Sequence, residues 1–465
     1  MLCVLVAEGM VFAQKAPPVP EHPWDASSAK QPFKAPPRLF PAPVLDPAKI
    51  YTLSELVNVA EQNNPDTRVA WENAKARAAD LGIAQSTLYP TLAAVALAGS
   101  TRLDIFFGSA FHRQTVETFS PGFVLDYIIF DLQRSQEISI SRSTLLAANF
   151  QFNDTHRKII FQVMQAYYRL LDSKGQEDAA EANLKNAQTV QQAAEARLQN
   201  GLATLPDVLE ARSAAAQTDY ELQAAIGATE IAHGDLATAL SVSPTSQFQV
   251  ESIENIKMPD SIADTVETSI DKALSQRPDL MQRVAELRAA GAEVKAARRA
   301  YFPTLSIDGN AGLGRSYGEQ IQLPGFYSPT QETWDVQLRL TLTLFDGLAR
   351  ENRLARAHAD QKQAASSVDS IRDQVENQVW SAYSTARTAL RQQRAAAALL
   401  EAATESYKAA LESYNYGVRS QIDVVSAQRT LADARTADVN ARTQLLIGLA
   451  ALAYQTGDLL YAMTP

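Results

Sequence analysis

The sequence predicts an α+β fold in which a few amphipathic strands are joined to very long helices, and this plan occurs twice along the chain. Three observations predict it. Apolar and polar residues alternate from Trp334 to Phe345, which is the period of a β-strand. Residues 348–416 contain no Gly or Pro, so one helix of roughly 100 Å can form there. The two halves also share motifs at a nearly constant separation, which indicates an internal repeat.

The repeat is visible in residues that terminate or begin elements. The motif at 89–92 (Tyr-Pro-Thr-Leu) corresponds to that at 302–305 (Phe-Pro-Thr-Leu). Further corresponding pairs are Pro65 with Pro278, Gly201 with Gly417, and Asp207 with Asp423. We therefore predict two structural repeats, 51–250 and 264–460, joined by a linker at 251–263.

Each repeat is expected to run helix, strand, strand, long helix, tip, helix. Pro suits the first turn of a helix, Gly its end, and period-two alternation a strand. In the first repeat this predicts a helix at 66–89, strands at about 91–102 and 119–130, a long helix at 132–200 and a helix at 207–240. In the second it predicts a helix at 279–301, strands at about 305–317 and 333–345, a long helix at 348–416 and a helix at 423–454.

The N-terminal region reads as an export and linker segment. Residues 1–13 form a signal-like segment that ends in a small-x-Ala pattern at Ala13. Residues 14–50 are dense in proline and are expected to form an extended arm. The single cysteine, Cys3, lies too near the start for a lipid-attachment motif. We predict no lipid anchor on it and, after cleavage, no disulfide.

Composition excludes several classes of function. The chain has 465 residues, 46% hydrophobic and 20% charged, with a net charge of −10, which is unlike a disordered protein or a nucleic-acid-binding one. It lacks the long apolar run of a transmembrane helix. Its five histidines show no metal-ligand spacing, and no nucleophile motif is present. We therefore expect no enzymatic activity, no cofactor and no metal.

The strands raise the question of where their apolar face lies. Trp334, Val336 and Leu338 fall on one face and Asp335 and Arg339 on the other. Strands of this length can cross a bilayer when tilted. Four strands cannot close a barrel, and open edges in lipid leave backbone groups unpaired. Two copies would make eight strands, and three would make twelve, which is wide enough for water.

Four motifs in order resemble the TolC family of outer-membrane efflux proteins over about 51–460. They are Arg277-Pro278-Asp279-Leu280, Phe302-Pro303-Thr304-Leu305, Leu344-Phe345-Asp346-Gly347, and Ser413-Tyr414-Asn415-Tyr416-Gly417 followed by Ile422-Asp423-Val424. The resemblance implies a homotrimer in the outer membrane of a Gram-negative bacterium. Its twelve-stranded β-barrel, with four strands per chain, would continue into a twelve-helix tunnel across the periplasm. The partners implied are outer-membrane lipid, a periplasmic adaptor (membrane fusion) protein and an inner-membrane transporter.

The two helix-hairpin tips, at Gly201 and Gly417, are the candidate functional site. A carboxylate at Asp207 or Asp423 can begin the returning helix, which explains it without any further role. In a trimer, three Asp423 side chains near the axis would instead hold cations and raise one another's pKa.

The resemblance places this segment at the closed periplasmic entrance. It implies that Tyr414 and Arg419 bond across to the neighbouring hairpin near Pro206 and Asp207. Ser426 stands where well-known members have a second aspartate, which puts a double acidic ring in doubt.

The tips also carry apolar residues that are candidates for the adaptor contact. They are Leu202, Leu205, Val418 and Ile422. The alternative is that these side chains pack between the two hairpins.

The leading function is a gated, passive exit channel for small-molecule cargo. A type I protein-secretion duct would share the architecture. A non-conducting periplasmic coiled-coil protein is the alternative of a different class. It would leave the polar strand face, with Asp308, Asp335 and Arg339, without a purpose and would favour larger residues along a heptad seam.

Overall fold

A computed structural model describes residues 43–107, 110–253, 256–262, 265–320, 323–327 and 330–460. The predicted signal-like segment at 1–13, Cys3 and residues 14–42 of the predicted arm lie outside the described residues.

The two halves share one order of helices and long strands, and the second half has one short strand more. The first half contains β1 (Ile50–Tyr51), α1 (Leu53–Asn63), α2 (Pro65–Ser86), β2 (Thr91–Phe107), β3 (Ala110–Phe130), α3 (Leu132–Gln199) and α4 (Leu205–Ala239). After β4 (Gln249–Val250), the second half contains α5 (Val266–Gln276), α6 (Pro278–Arg299), β5 (Thr304–Gln320), β6 (Leu323–Tyr327), β7 (Thr330–Thr341), α7 (Ala349–Asn415) and α8 (Gln421–Thr456).

Several bounds differ from those expected from the sequence. The strand expected at 333–345 begins earlier and ends at Thr341, because pairing with β5 stops there; Gly347, in the left-handed region, then leads into α7. The strands expected at 91–102 and 119–130 are both longer. The short helices α1 and α5 and the short strand β6 were not expected from the sequence. Asn64, before Pro65, ends α1 and caps α2 through Oδ1, which accepts from the Asp66 N–H at 2.8 Å.

The strands form an antiparallel sheet in the order β2-β3-β5-β7, with β6 paired to the far end of β5. The contact between β3 and β5 joins the two halves of the chain. Its register sets Phe123 opposite Ala311, and β7 continues this row with Trp334. Because directly opposed residues in a sheet share a face, the alternation in each strand adds up to one apolar face.

The long helices are flanked by the shorter ones. Helix α3 packs against α2 and α4 of its own half and against α6 and α8 of the other, while α7 packs against α6 and α8. The largest apolar core lies around α1, α3 and the ends of α4 and α8, where Leu56, Val163 and Leu236 are fully buried. Burying a side chain of this kind contributes about 1.5–3 kcal/mol.

A buried ionic cluster connects α3 with the start of α6. Arg157 on α3 is only 1% exposed and donates to Asp154 Oδ1 at 2.6 Å. Arg277 donates two hydrogen bonds to the Asp279 carboxylate, from Nε to Oδ1 at 3.0 Å and from Nη2 to Oδ2 at 2.5 Å. Burial alone would raise the pKa of Asp279, but the guanidinium groups of Arg277 and Arg157 outweigh it and hold that pKa below the ordinary value.

Candidate functional site

Both tips are built around a glycine in the left-handed region. Gly201 has a φ of +73° and Gly417 a φ of +76°. The residue after each glycine donates back into the last helical turn, Leu202 to the Arg197 carbonyl at 2.8 Å and Val418 to the Ser413 carbonyl at 2.9 Å. These helix ends need glycine for its backbone conformation. Lack of space is not the reason, because no group beyond the adjoining residues lies within 4 Å of the position a Cβ would take at either glycine.

The two aspartates at the tips cap the returning helices. Asp207 Oδ2 accepts from the Thr204 hydroxyl at 2.7 Å and the Thr204 N–H at 2.8 Å. Asp423 Oδ2 accepts from the Ser420 hydroxyl at 2.8 Å and its N–H at 3.0 Å. These bonds are reciprocal capping boxes, and they lower the pKa of both carboxyl groups.

Within one chain, the pKa of Asp423 is therefore shifted down, whereas a ring of three carboxylates was expected to raise it. The Ser420 hydroxyl bond is the main cause, followed by the Ser420 backbone and then by the charge of Arg419. The mutual repulsion needs three copies of the chain and stays a prediction.

The structure brings Tyr414 to a residue that sequence reasoning did not single out. Tyr414 is buried, and the guanidinium of Arg197 lies over its ring, 4.1 Å from the centroid. Arg197 Nη2 also donates to the carbonyl oxygens of Tyr414 at 2.8 Å and Asn415 at 3.2 Å. The carboxylate of Asp207, which the family resemblance had placed near Tyr414, is bound to its own Thr204. Arg419 is exposed.

The sequence pattern does not single out Arg197, because the second repeat has no basic residue at the corresponding place. The residue at the corresponding place in the second half is Ser413. A basic residue in the last turn of a helix is also an ordinary feature, because it complements that helix's own dipole. The only available signal was the asymmetry between the two tips.

The four apolar candidates at the tips are exposed in the single chain. Leu202 is 75% and Val418 79% exposed, and Leu205 and Ile422 are also exposed. The core between the hairpins is instead made by residues further up the helices, including Val190, Ala194, Val208 and Val424. The tip residues therefore leave an apolar surface at the end of each hairpin.

The apolar face of the sheet is exposed as well. Trp334 is 78% exposed, and Val336, Leu338 and Leu340 follow it on the same face of β7. Helices of the described part of the chain do not cover these side chains. A soluble protein rarely leaves a continuous aliphatic face of this size open.

The opposite face is polar where β5 and β7 pair. Arg339 Nε lies 3.3 Å from Asp308 Oδ2. Asn310 donates to Asp335, and Gln337 Nε2 donates to the same carboxylate at 2.9 Å. Towards β2 this face becomes small and apolar, with Val95 and Val124 on it.

Within the described residues, β2 and β7 each pair with a single neighbouring strand, β3 and β5 respectively. The sheet therefore has two open edges whose outer backbone N–H and C=O groups are available to another strand.

Among the described residues, no three His, Cys, Asp or Glu side chains are grouped as metal ligands. No helix in the part of the chain that the structure describes is both long and apolar enough to cross a bilayer.

The sequence profile of the family described as outer membrane efflux protein matches residues 56–242 and 269–458. Protein CyaE of Bordetella pertussis is 26% identical over 345 residues, which cover 72% of this chain and 69% of CyaE. The cation efflux system protein CusC of Escherichia coli O157:H7 is 24% identical over 66% of this chain, and the match spans slightly less than two thirds of CusC, 65%.

The fold is also similar to that of a solved channel. The Campylobacter jejuni CmeC outer membrane channel superposes with a TM-score of 0.73 at 21% identity, over 87% of this chain and 85% of CmeC.

Proposed function

The chain belongs to the outer membrane efflux protein family, and from that premise we propose that three copies form a gated, passive exit channel. The channel spans the outer membrane of a Gram-negative cell and extends into the periplasm. It receives small-molecule cargo from an inner-membrane transporter through a periplasmic adaptor.

One observation carries the proposal: a four-stranded sheet has an exposed apolar face and two open edges. In lipid, an unpaired backbone group costs several kcal/mol, so β7 of one copy must pair with β2 of the next. Three copies supply twelve long strands. Eight strands enclose only enough room for their own side chains, whereas twelve leave an aqueous lumen, which suits the charged face with Asp308 and Arg339.

The helices continue the same ring. Each helix packs beside the next in two rows. One row is α2, α3, α6 and α7, and the other is α4, α3, α8 and α7. Both rows end on α7 at one side, so the next copy would meet α7 with its own α2 and α4. The result is a closed helical tunnel below the barrel.

The tips form the periplasmic entrance. Gly201 and Gly417 turn the chain there, and three copies bring three Asp423 carboxylates towards the axis, with Arg419 beside each one. The exposed Leu202, Leu205, Val418 and Ile422 supply the apolar surface for the adaptor. This surface is on the end of the hairpins, where a second coiled coil can reach it.

Detergent extracts of the outer membrane test the assembly directly. The protein should migrate in gels as a trimer without heating and as a monomer after boiling, and in planar bilayers it should show a small basal conductance. A monomer confined to the soluble periplasmic fraction would contradict the proposal.

Carboxylates introduced at the exposed apolar tip residues test whether they form the docking surface for the adaptor. Leu202→Asp combined with Val418→Asp should abolish efflux while leaving the heat-sensitive trimer unchanged. The matched control is Lys185→Asp, an exposed change further up α3; if it abolishes efflux to the same extent, the tips are not the docking surface.

A further inference from the structure

Arg197 makes a bridge between the two hairpins at their tips. It belongs to the last turn of α3, yet its guanidinium leaves that helix and reaches the end of α7. There it makes three contacts: one to each of the carbonyls of Tyr414 and Asn415, and one across the face of the Tyr414 ring. Each contact crosses from the first hairpin (α3–α4) to the second (α7–α8).

The end of α7 has a need that this guanidinium fills. The last carbonyls of a helix have no partner inside it, and a cation near them is favoured by the helix dipole. The last turn of α7 contains no basic residue of its own. Its own cap bonds serve the Glu412, Ser413 and Tyr414 carbonyls, and Arg197 adds a second donor to the Tyr414 carbonyl and a bond to that of Asn415. Arg197 therefore caps a helix to which it does not belong.

The other contacts between the hairpins near the tip are of a different kind. Val190 and Ala194 of α3 pack with Tyr407 of α7 and with Val424 and Leu431 of α8 in an apolar cluster. Apolar contacts have no donor and acceptor directions, so they tolerate a small displacement of one hairpin against the other better than hydrogen bonds do. The bonds of Arg197 have fixed donor and acceptor directions, and sliding breaks them.

A second polar bridge lies well away from the tip. Arg435 on α8 donates to Asn183 Oδ1 on α3 at 2.8 Å. Asn183 and Arg197 are roughly 20 Å apart along α3 at the rise of an α-helix. Another bridge, from Arg157 Nη1 on α3 to the Tyr454 carbonyl on α8 at 3.3 Å, lies further still from the tips. Of these three bridges, the one made by Arg197 lies where the chain reverses.

We propose that Arg197 is the positioning residue that latches the second tip hairpin against the first, so that the entrance opens only when its bonds to the end of α7 are broken. The latch rests on the proposed channel function.

This latch differs in chemistry from a gate made by the Tyr414 hydroxyl. Arg197 uses the backbone carbonyls and the face of the ring, and none of these is lost in Tyr414→Phe. It also differs from a simple charge effect, because Arg197→Lys keeps the charge but loses the planar fork and most of the stacking.

Purified trimers in planar bilayers test the proposal. Arg197→Ala should raise the mean conductance several-fold over the wild type, and Arg197→Lys should give an intermediate rise. The matched control is Arg212→Ala. Arg212 pairs with Glu195 at 3.1 Å within the first hairpin, so this change removes a nearby charge without touching the bridge, and conductance should stay at the wild-type level.

The outcomes separate the latch from the channel itself. Wild-type conductance in Arg197→Ala trimers would overturn the latch, as would an equal rise in Arg212→Ala. The heat-sensitive trimer band should be the same in all variants, which shows that assembly is intact; if Arg197→Ala does not assemble, Arg197→Lys carries the test. A wild type that neither assembles nor conducts would overturn the channel proposal, and the latch with it.

Discussion

Gly122 on β3 and Gly312 on β5 lie directly opposite each other, and neither position has room for a side chain. A Cβ on Gly122 would stand 2.8 Å from the Ala311 carbonyl oxygen, and one on Gly312 would stand 2.7 Å from that of Pro121. Pro121 has no N–H to give to the ladder. The two strands that join the halves of the chain are therefore too close for a side chain at Gly122 and Gly312, next to a residue that lacks a hydrogen-bond donor.

Gly312→Ala should weaken the sheet, because the added methyl group meets backbone, which cannot move aside as a flexible side chain can. Overpacking of this kind costs about 1–3 kcal/mol. When samples are incubated at increasing temperatures before electrophoresis, the trimer band should disappear at a lower temperature than in the wild type. Gly314→Ala is the control, because its Cβ would have neighbours only at 3.9 Å. Equal losses in the two variants would contradict the close-approach explanation.

Only one face of β7 should be sensitive to an added charge. Val336 is exposed on the apolar face, and an arginine there costs about 2–4 kcal/mol if the position lies near the middle of a bilayer. Val336→Arg should therefore reduce the amount of trimer recovered from the outer membrane. Gln337→Arg, on the polar face and opposite Asp308, should be recovered at the wild-type level. Reversed sensitivities would mean that the faces have been assigned the wrong way round.

Arg157 should be worth more to stability than a surface arginine. Replacing it by Met removes the buried partner of Asp154, which keeps only its pair with the exposed Lys158, and breaking a buried pair costs up to about 3–5 kcal/mol. We expect the loss of helical circular dichroism on heating to occur at a clearly lower temperature. Arg283→Ala removes an exposed pair with Glu286, which is worth about 0–1 kcal/mol. A melting temperature for Arg157→Met equal to that of Arg283→Ala would show that the buried cluster is not a source of stability.

Asp172 on α3 should make stability depend on pH. Burial raises its pKa above the ordinary value of 3.8, although the nearby Thr443 hydroxyl and a hydrogen bond from Gln176 Nε2 at 3.1 Å oppose the shift. The folded chain then holds this proton more tightly than the unfolded chain does, so stability falls as the pH rises from the ordinary pKa through the raised one. Asp172→Asn stays neutral, and its melting temperature should exceed that of the wild type at pH 7, with the difference shrinking towards pH 4. A difference that grows on acidification would contradict the sign of the shift.

The sequence was sufficient for the elements that depend on local pattern. Breakers such as Gly201 and Gly417 end the long helices, and the alternation from Trp334 predicts a strand with one apolar face, because period and backbone freedom are properties of neighbouring residues. The end of that strand was expected at Phe345 and lies at Thr341, since local alternation continues in the chain after pairing with β5 has stopped.

The contacts of the candidate site were decided by tertiary structure alone. Arg197 reaches the carbonyl of Tyr414 across 217 positions of sequence, and Gly122 faces Gly312 only because β3 and β5 pair in one register. A register is a choice among many that share the same alternation, and it is set by how whole helices and strands pack. The chain's own pattern thus determined which elements form and which faces are apolar, whereas packing between the two halves determined which residues meet.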